Sequence, residues 1–97
     1  MNIILTIAAF LFCIGTIIVL TKKNAIFILI GIELMFNASI INFVHFSQAD
    51  ILMQGQMAAL FVMVLAVVET ALALAIIFKV YKHYQTVDLD KINELKN

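Results

Sequence analysis

Proline is absent from this 97-residue chain, so none of its apolar segments carries a proline kink. Glycine is scarce. Gly15, Gly31 and Gly55 are the only three, too few for the glycine-rich packing of rotary-ring subunits. The single cysteine, Cys13, has no second thiol to pair with and falls inside the first apolar run, so it reads as a small buried hydrophobe. Charge is sparse as well: six basic and six acidic residues make 12% of the chain and cancel to a net charge of zero. Ordinary globular domains carry about twice that share. No basic cluster is large enough for a nucleic-acid footprint, which excludes nucleic acid as a partner. Repeats, low-complexity tracts and linkers are missing. The N-terminus has no basic n-region and its apolar stretch is too long for an h-region, which argues against a cleavable signal peptide.

What remains is hydrophobic. Apolar residues make up 65% of the sequence, and the mean hydropathy is +1.14. A soluble chain this short cannot hide so much apolar surface, because small domains bury proportionally less of it. The bilayer must be the solvent for most of the chain, which forms at most one domain, residues 1–97.

Three apolar runs are long enough to span. They cover about 2–21, 25–46 and 57–80, and predict an all-α membrane protein of three antiparallel transmembrane helices. A tight polar turn, Thr21-Lys22-Lys23-Asn24, joins the first two; a loop over 47–56, with Asp50 and Gly55, joins the second and third. Tyr81, Lys82, His83 and Tyr84 mark an exit at headgroup level. Lys22 and Lys23 lie in the first turn, Lys79 and Lys82 at the third exit, and the 47–56 loop holds no Lys or Arg. The positive-inside rule then places the N-terminus outside and the C-terminus in the cytoplasm. The tail, 81–97, alternates charge around Leu89, Ile92 and Leu95 with weak helical amphipathicity. It reads as a solvated end in preference to a docking strip for a cytoplasmic partner.

Two acids interrupt the apolar runs: Glu33 in the second and Glu69 in the third. Each charge costs roughly 2.5–3.5 kcal/mol at the centre of a span, which about six to eight strongly apolar residues offset. Both runs supply them, so the spans survive. Glu33 is ten residues after Lys23 and Glu69 ten before Lys79. At about 1.5 Å per residue, both carboxylates lie roughly 15 Å below the same membrane face. Acids at membrane depth mark ion or proton paths by default, and two at equal depth on neighbouring helices suit a relay. The bland reading for each is a protonated, hydrogen-bonded structural acid. Asn37, one helical turn from Glu33, would satisfy it. Glu69 is flanked by Ala66 and Ala73, with Ala59 on the same stripe, which predicts a close helix or a narrow wet cavity beside it. Asn42 and His45 form a second polar stripe with Gly31 and Ala38, so the second span expects protein around it rather than lipid. Ser39, Asn37 and Asn42 read as interhelical hydrogen-bonding groups. His45 reads as interfacial, and a lone histidine is poor support for a metal site. No Lys or Arg lies at membrane depth beside the acids, Lys79 being at the exit of the third span; the counter-charge to the acids then belongs to another subunit, or arrives as a proton or cation.

These blocks, Ile30-Gly31-Ile32-Glu33-Leu34-Met35-Phe36-Asn37-Ala38, Asn42-Phe43-Val44 and Ala66-Val67-Val68-Glu69-Thr70-Ala71-Leu72-Ala73-Leu74-Ala75, carry a resemblance. With the length and the basic turn, the chain resembles the family of small three-helix membrane subunits of respiratory complex I, called K in bacteria and 4L in mitochondria. The resemblance implies that Glu33 and Glu69 belong to a hydrated polar axis along a membrane arm, with Lys22 and Lys23 also implicated in activity. It implies a place between an antiporter-like subunit and the subunits nearest the quinone site. No cofactor is then expected on this chain; FMN, iron–sulfur clusters and quinone belong to other subunits. Val67-Val68 departs from relatives in which alanines are common before the third-span acid. That departure bears on packing and leaves the acid in place.

The implied function is a subunit of a proton-pumping NADH:quinone oxidoreductase in a bacterial inner membrane. The alternative is the small subunit of a multisubunit cation/proton antiporter, whose members tend to lack the paired acids. A small drug/proton exporter needs four spans with an acid in the first. A structural spacer or holin-like protein leaves two matched acids unexplained.

Overall fold

A computed structural model describes residues 3–48 and 51–96. Asn2 at the start of the first predicted span, Asp50 in the loop and Asn97 at the tail's end lie outside the described residues. The described chain is helical in four pieces: α1 (Ile3–Thr21), α2 (Ala25–Phe46), α3 (Gln54–Tyr84) and a short α4 (Leu89–Lys96). The first three are long and apolar enough to cross a membrane. α3 begins three residues before the apolar run at Met57 and continues past Lys79 to Tyr84. At 31 residues it is about 46 Å long, well beyond the roughly 30 Å of hydrocarbon it has to cross.

α2 is the middle of the assembly. It packs on α1 on one side and α3 on the other, while α1 and α3 barely meet. The result is a slab of 55 × 25 × 14 Å, one helix thick. Among the described residues no large side chain is fully buried; the buried positions are Ala8, Gly15, Gly31, Ala38, Ser47, Ala59 and Ala66. That pattern follows from the solvent. Apolar side chains gain nothing by leaving lipid for protein, so these helices hold together where small residues let their backbones come close.

The closest approach is between α1 and α2. A Cβ built on Gly15 would lie 2.5 Å from the Gly31 carbonyl oxygen, and one on Gly31 would lie 2.8 Å from the Gly15 carbonyl oxygen. Each glycine therefore excludes a side chain for the sake of the other. Three glycines are few, but two of them meet at one crossing. Gly55, at the start of α3, plays the same part against Ser47 at the end of α2, whose Cβ fills the space where a Gly55 side chain would stand.

The tail has mostly exposed side chains, and its backbone is tied to the rest of the chain. Gln85 takes a left-handed conformation (φ 60°), and its N–H closes α3 on the Tyr81 carbonyl at 2.6 Å. The chain then turns back onto the α1–α2 turn. Ala25 N–H donates to the Val87 carbonyl and Leu89 N–H to the Lys23 carbonyl, both at 2.9 Å, making an isolated bridge between Asn24 and Asp88. Side chains finish both helix starts. Asn24 Oδ1 accepts from Ile26 N–H, and Asp88 Oδ1 accepts from the amides of Asp90 and Lys91. Lys23 Nζ and Asp90 Oδ2 are 2.8 Å apart, and this hydrogen bond raises the Lys23 ammonium above its usual value of 10.5. The pair is exposed and strengthens the clasp weakly. Because the folded value is raised, its contribution is complete below pH 10.5 and fades only as pH climbs through the raised value.

Two outcomes follow from this packing. Gly31→Ala should weaken the α1–α2 crossing by about 1–3 kcal/mol, the usual cost of overfilling a tight contact. Less of the subunit should then be retained in detergent-extracted complex on native gels, and unchanged retention would show that the crossing is slack. Asp90→Asn should raise acylation of Lys23 by an amine-directed reagent by no more than a few-fold, read by mass spectrometry. The contrast with the unsubstituted chain should vanish at strongly alkaline pH.

Candidate functional site

Glu33 and Glu69 occupy different surroundings. Glu33, in the middle of α2, is half-buried, and its Oε1 accepts a hydrogen bond of 2.5 Å from the Thr70 hydroxyl of α3. Thr70 is the next residue after Glu69. The bond therefore brings the α2 acid to the turn of α3 that carries the other acid. Elsewhere Ser47, just after α2, lies beside Gly55 at the start of α3, and Asn24, just before α2, is bridged to Asp88, beyond α3.

Glu69 itself is exposed on the surface of the chain. The alanine stripe explains why. Ala59 and Ala66 are buried and Ala73 half-buried, because this is the line along which α3 meets α2. At 100° per residue, Thr70 stands about 40° to one side of Ala66 and Glu69 about 60° to the other. Thr70 therefore reaches Glu33 across the seam, while Glu69 clears it. The alanines do not place Glu69 against a helix of this chain. They bring α3 close to α2 and leave Glu69 on the far shoulder.

Asn37 is exposed, and the hydrogen-bond partner of Glu33 is Thr70 in its place. Ser39 also differs from expectation: its hydroxyl donates to the Met35 carbonyl of its own helix at 3.2 Å and does not cross to another. Asn42 is half-buried, and its Oδ1 is enclosed without a hydrogen-bond partner. It lies with Ser39, Phe43, Phe46, Ser47 and Gly55 along an open groove of about 490 Å³ between α2 and α3. His45 packs edge-on against Phe46, with ring centroids 5.4 Å apart.

The two turn lysines are both exposed and are held differently. Lys23 is tied to Asp90, as above. Lys22 Nζ lies 5.6 Å from the centre of the Phe27 ring at the start of α2, within cation–π range. The fold thus brings Glu33 and the Glu69 turn together and sets Lys22 and Lys23 at the end of the slab where the tail returns. Asn37, one turn along α2 from Glu33, is exposed. Thr70 is the residue that motif reading passed over. Its signal was the second polar position in an otherwise apolar span, one residue from an acid.

Comparison with known proteins identifies the family. The family model described as NADH-ubiquinone/plastoquinone oxidoreductase chain 4L matches residues 3–97. The chain is 47% identical over 95 residues to the NADH-quinone oxidoreductase subunit K of Chlorobaculum parvum, covering 98% of this chain and 90% of that protein. It is 44% identical over 94 residues to the subunit K of Bacillus anthracis, covering 95% and 90% respectively. Against the subunit K of Brevibacillus brevis the identity is 43% over 94 residues, covering 95% and 91%. With the match running through all three spans and the tail, the chain belongs to the NADH-ubiquinone/plastoquinone oxidoreductase chain 4L family.

Proposed function

We propose that Glu33 and Glu69 form one segment of the proton or charge relay that couples quinone reduction to proton translocation in an NADH:quinone oxidoreductase. The observation that carries the reading is the level of the two acids: Thr70 ties Glu33 to the turn of α3 from which Glu69 projects. A proton reaching either carboxylate has the other one helix away. It crosses through water or polar side chains, then leaves towards a basic side chain of a neighbouring subunit. Redox chemistry at the quinone, on other chains, biases these protonation equilibria through linked charge shifts.

In this reading the spans cross the bilayer antiparallel, with the N-terminus outside and Lys22, Lys23 and the returning tail on the cytoplasmic side of a bacterial inner membrane. The order of contacts along the α2–α3 seam supports the antiparallel pairing, since residues advancing along α2 meet residues receding along α3. The lysines of the first turn and of the α3 exit support the orientation. Glu33 sits on the inner seam and Glu69 on the outer shoulder, so the chain passes charge from its own interior to a partner. An antiporter-like subunit on one side and the quinone-proximal subunits on the other are the partners proposed. The chain serves as a non-redox subunit: FMN, iron–sulfur clusters and quinone lie on those other subunits, and this chain binds none. Lys22 and Lys23 feed the cytoplasmic end of the path, and Asn37 lends polar support to the α2 face.

Replacing each acid by its neutral isostere tests the reading. Glu33→Gln and Glu69→Gln should each lower proton uptake per NADH oxidised in inside-out vesicles by at least tenfold if the carboxylate is a transfer point. The amount of assembled complex should stay near wild type. Full proton uptake in both variants would return the acids to structural groups.

A further inference from the structure

Four hydroxyls of the spans are spent in two ways. Thr16, Thr21 and Ser39 each donate to the carbonyl four residues earlier in their own helix, the Phe12, Ile17 and Met35 oxygens respectively. That is the ordinary habit of Ser and Thr in apolar helices, where no water takes the proton. Thr70 instead donates across the seam to Glu33 Oε1. The geometry that makes this possible is built in. Ala66 and Ala73 bring the α3 backbone close to α2, and Thr70 stands at the edge of that stripe where a short side chain reaches the acid.

We propose that Thr70 is a positioning residue for the Glu33 carboxylate: its hydroxyl holds Oε1 at the α2–α3 seam, so that the proton is taken up and released at Oε2. The inference rests on the relay reading of Glu33 given above. A donor on Oε1 favours the tautomer in which Oε1 is the carbonyl oxygen, because a protonated oxygen is the poorer acceptor. In the uptake step a hydronium of the path gives its proton to Oε2, forming one O–H bond as another breaks and leaving water. In the release step the same O–H bond breaks towards the next acceptor. The Thr70 hydroxyl keeps its own proton throughout. It also limits the rotation of Glu33 about its side-chain bonds, so the exchanging oxygen meets the path at one fixed place.

Thr70→Val and Thr70→Ser separate the hydroxyl from the shape of the side chain. Thr70→Val keeps the branched shape and removes the donor, whereas Thr70→Ser keeps the donor and removes the methyl group. In inside-out vesicles, proton uptake per assembled complex should fall by roughly three- to tenfold in Thr70→Val, the span of one positioned hydrogen bond, and return to near wild type in Thr70→Ser. Infrared difference spectra should show the carbonyl stretch assigned to protonated Glu33, by its loss in Glu33→Gln, moving to higher frequency in Thr70→Val and back in Thr70→Ser. If Thr70→Val yields no assembled complex, Thr70→Ala is compared with Thr70→Ser in the same way. Equal uptake and an unmoved band in Thr70→Val overturn the inference, as does failure of Thr70→Ser to restore uptake, which would make the role one of packing. Impaired Glu33→Gln with unimpaired Thr70→Val overturns this inference alone; unimpaired Glu33→Gln overturns the relay reading beneath it.

Discussion

The structure depends on how closely the backbones of α1, α2 and α3 can approach. Among lipid tails there is no hydrophobic gain in gathering three apolar helices, so contact has to come from dispersion and from polar groups that need partners. Gly15 against Gly31 and the Ala59–Ala66 line of α3 provide that approach. The hydrogen bond between Thr70 and Glu33 is placed by it. A seam held one large side chain further apart would put the Thr70 hydroxyl beyond reach of Glu33, and the acid would face hydrocarbon or water.

This constraint also separates what the sequence made legible from what it did not. The spans were plain, because runs of apolar residues bounded by Lys22-Lys23 and by Tyr81-Lys82 have few other physical outcomes. The equal level of the acids was legible too, since it needs only the rise per residue and two basic markers. The partners of the acids were not. Helical periodicity offered Asn37 to Glu33, being on the same helix and one turn away, but a side chain on α3 competes for the same carboxylate once the alanines close the gap. The alanines near Glu69 mark the seam with α2 and leave the neighbour of Glu69 itself unspecified. A small-residue stripe says where a neighbour comes, and a residue 60° off that stripe is already past the neighbour's edge.

The tail shows the opposite limit. Its side-chain pattern of alternating charges around three apolar residues gave only weak amphipathicity, and its side chains are in fact mostly exposed. What ties it down is backbone: the carbonyls of Lys23 and Val87 and the amides of Ala25 and Leu89 pair irrespective of side-chain identity. Hydrophobic periodicity cannot see such a bridge. The left-handed Gln85 that makes it possible is a residue type with no special signature for that conformation. The clasp matters to the site because it orders Lys23, one of the two basic residues at the mouth of the path proposed above.

The contrast between the two acids is the lasting consequence of a slab one helix thick. In such a slab an acid finds a donor within the chain only where it faces one of the two seams. Glu33 does, in Thr70. An acid on the outer shoulder of α3 has no further helix of this chain to meet, and Glu69 is exposed for that reason. The chain supplies no basic side chain at that depth either, because all its lysines lie in turns, at span ends or in the tail. An ionisable group left on the lipid-depth surface of an isolated subunit is costly unless another chain covers it. The subunit K relatives are components of a multisubunit NADH-quinone oxidoreductase, and the relay proposed above would have another chain of such an assembly cover the exposed Glu69. The same thinness that leaves one acid unfinished gives the other its fixed partner.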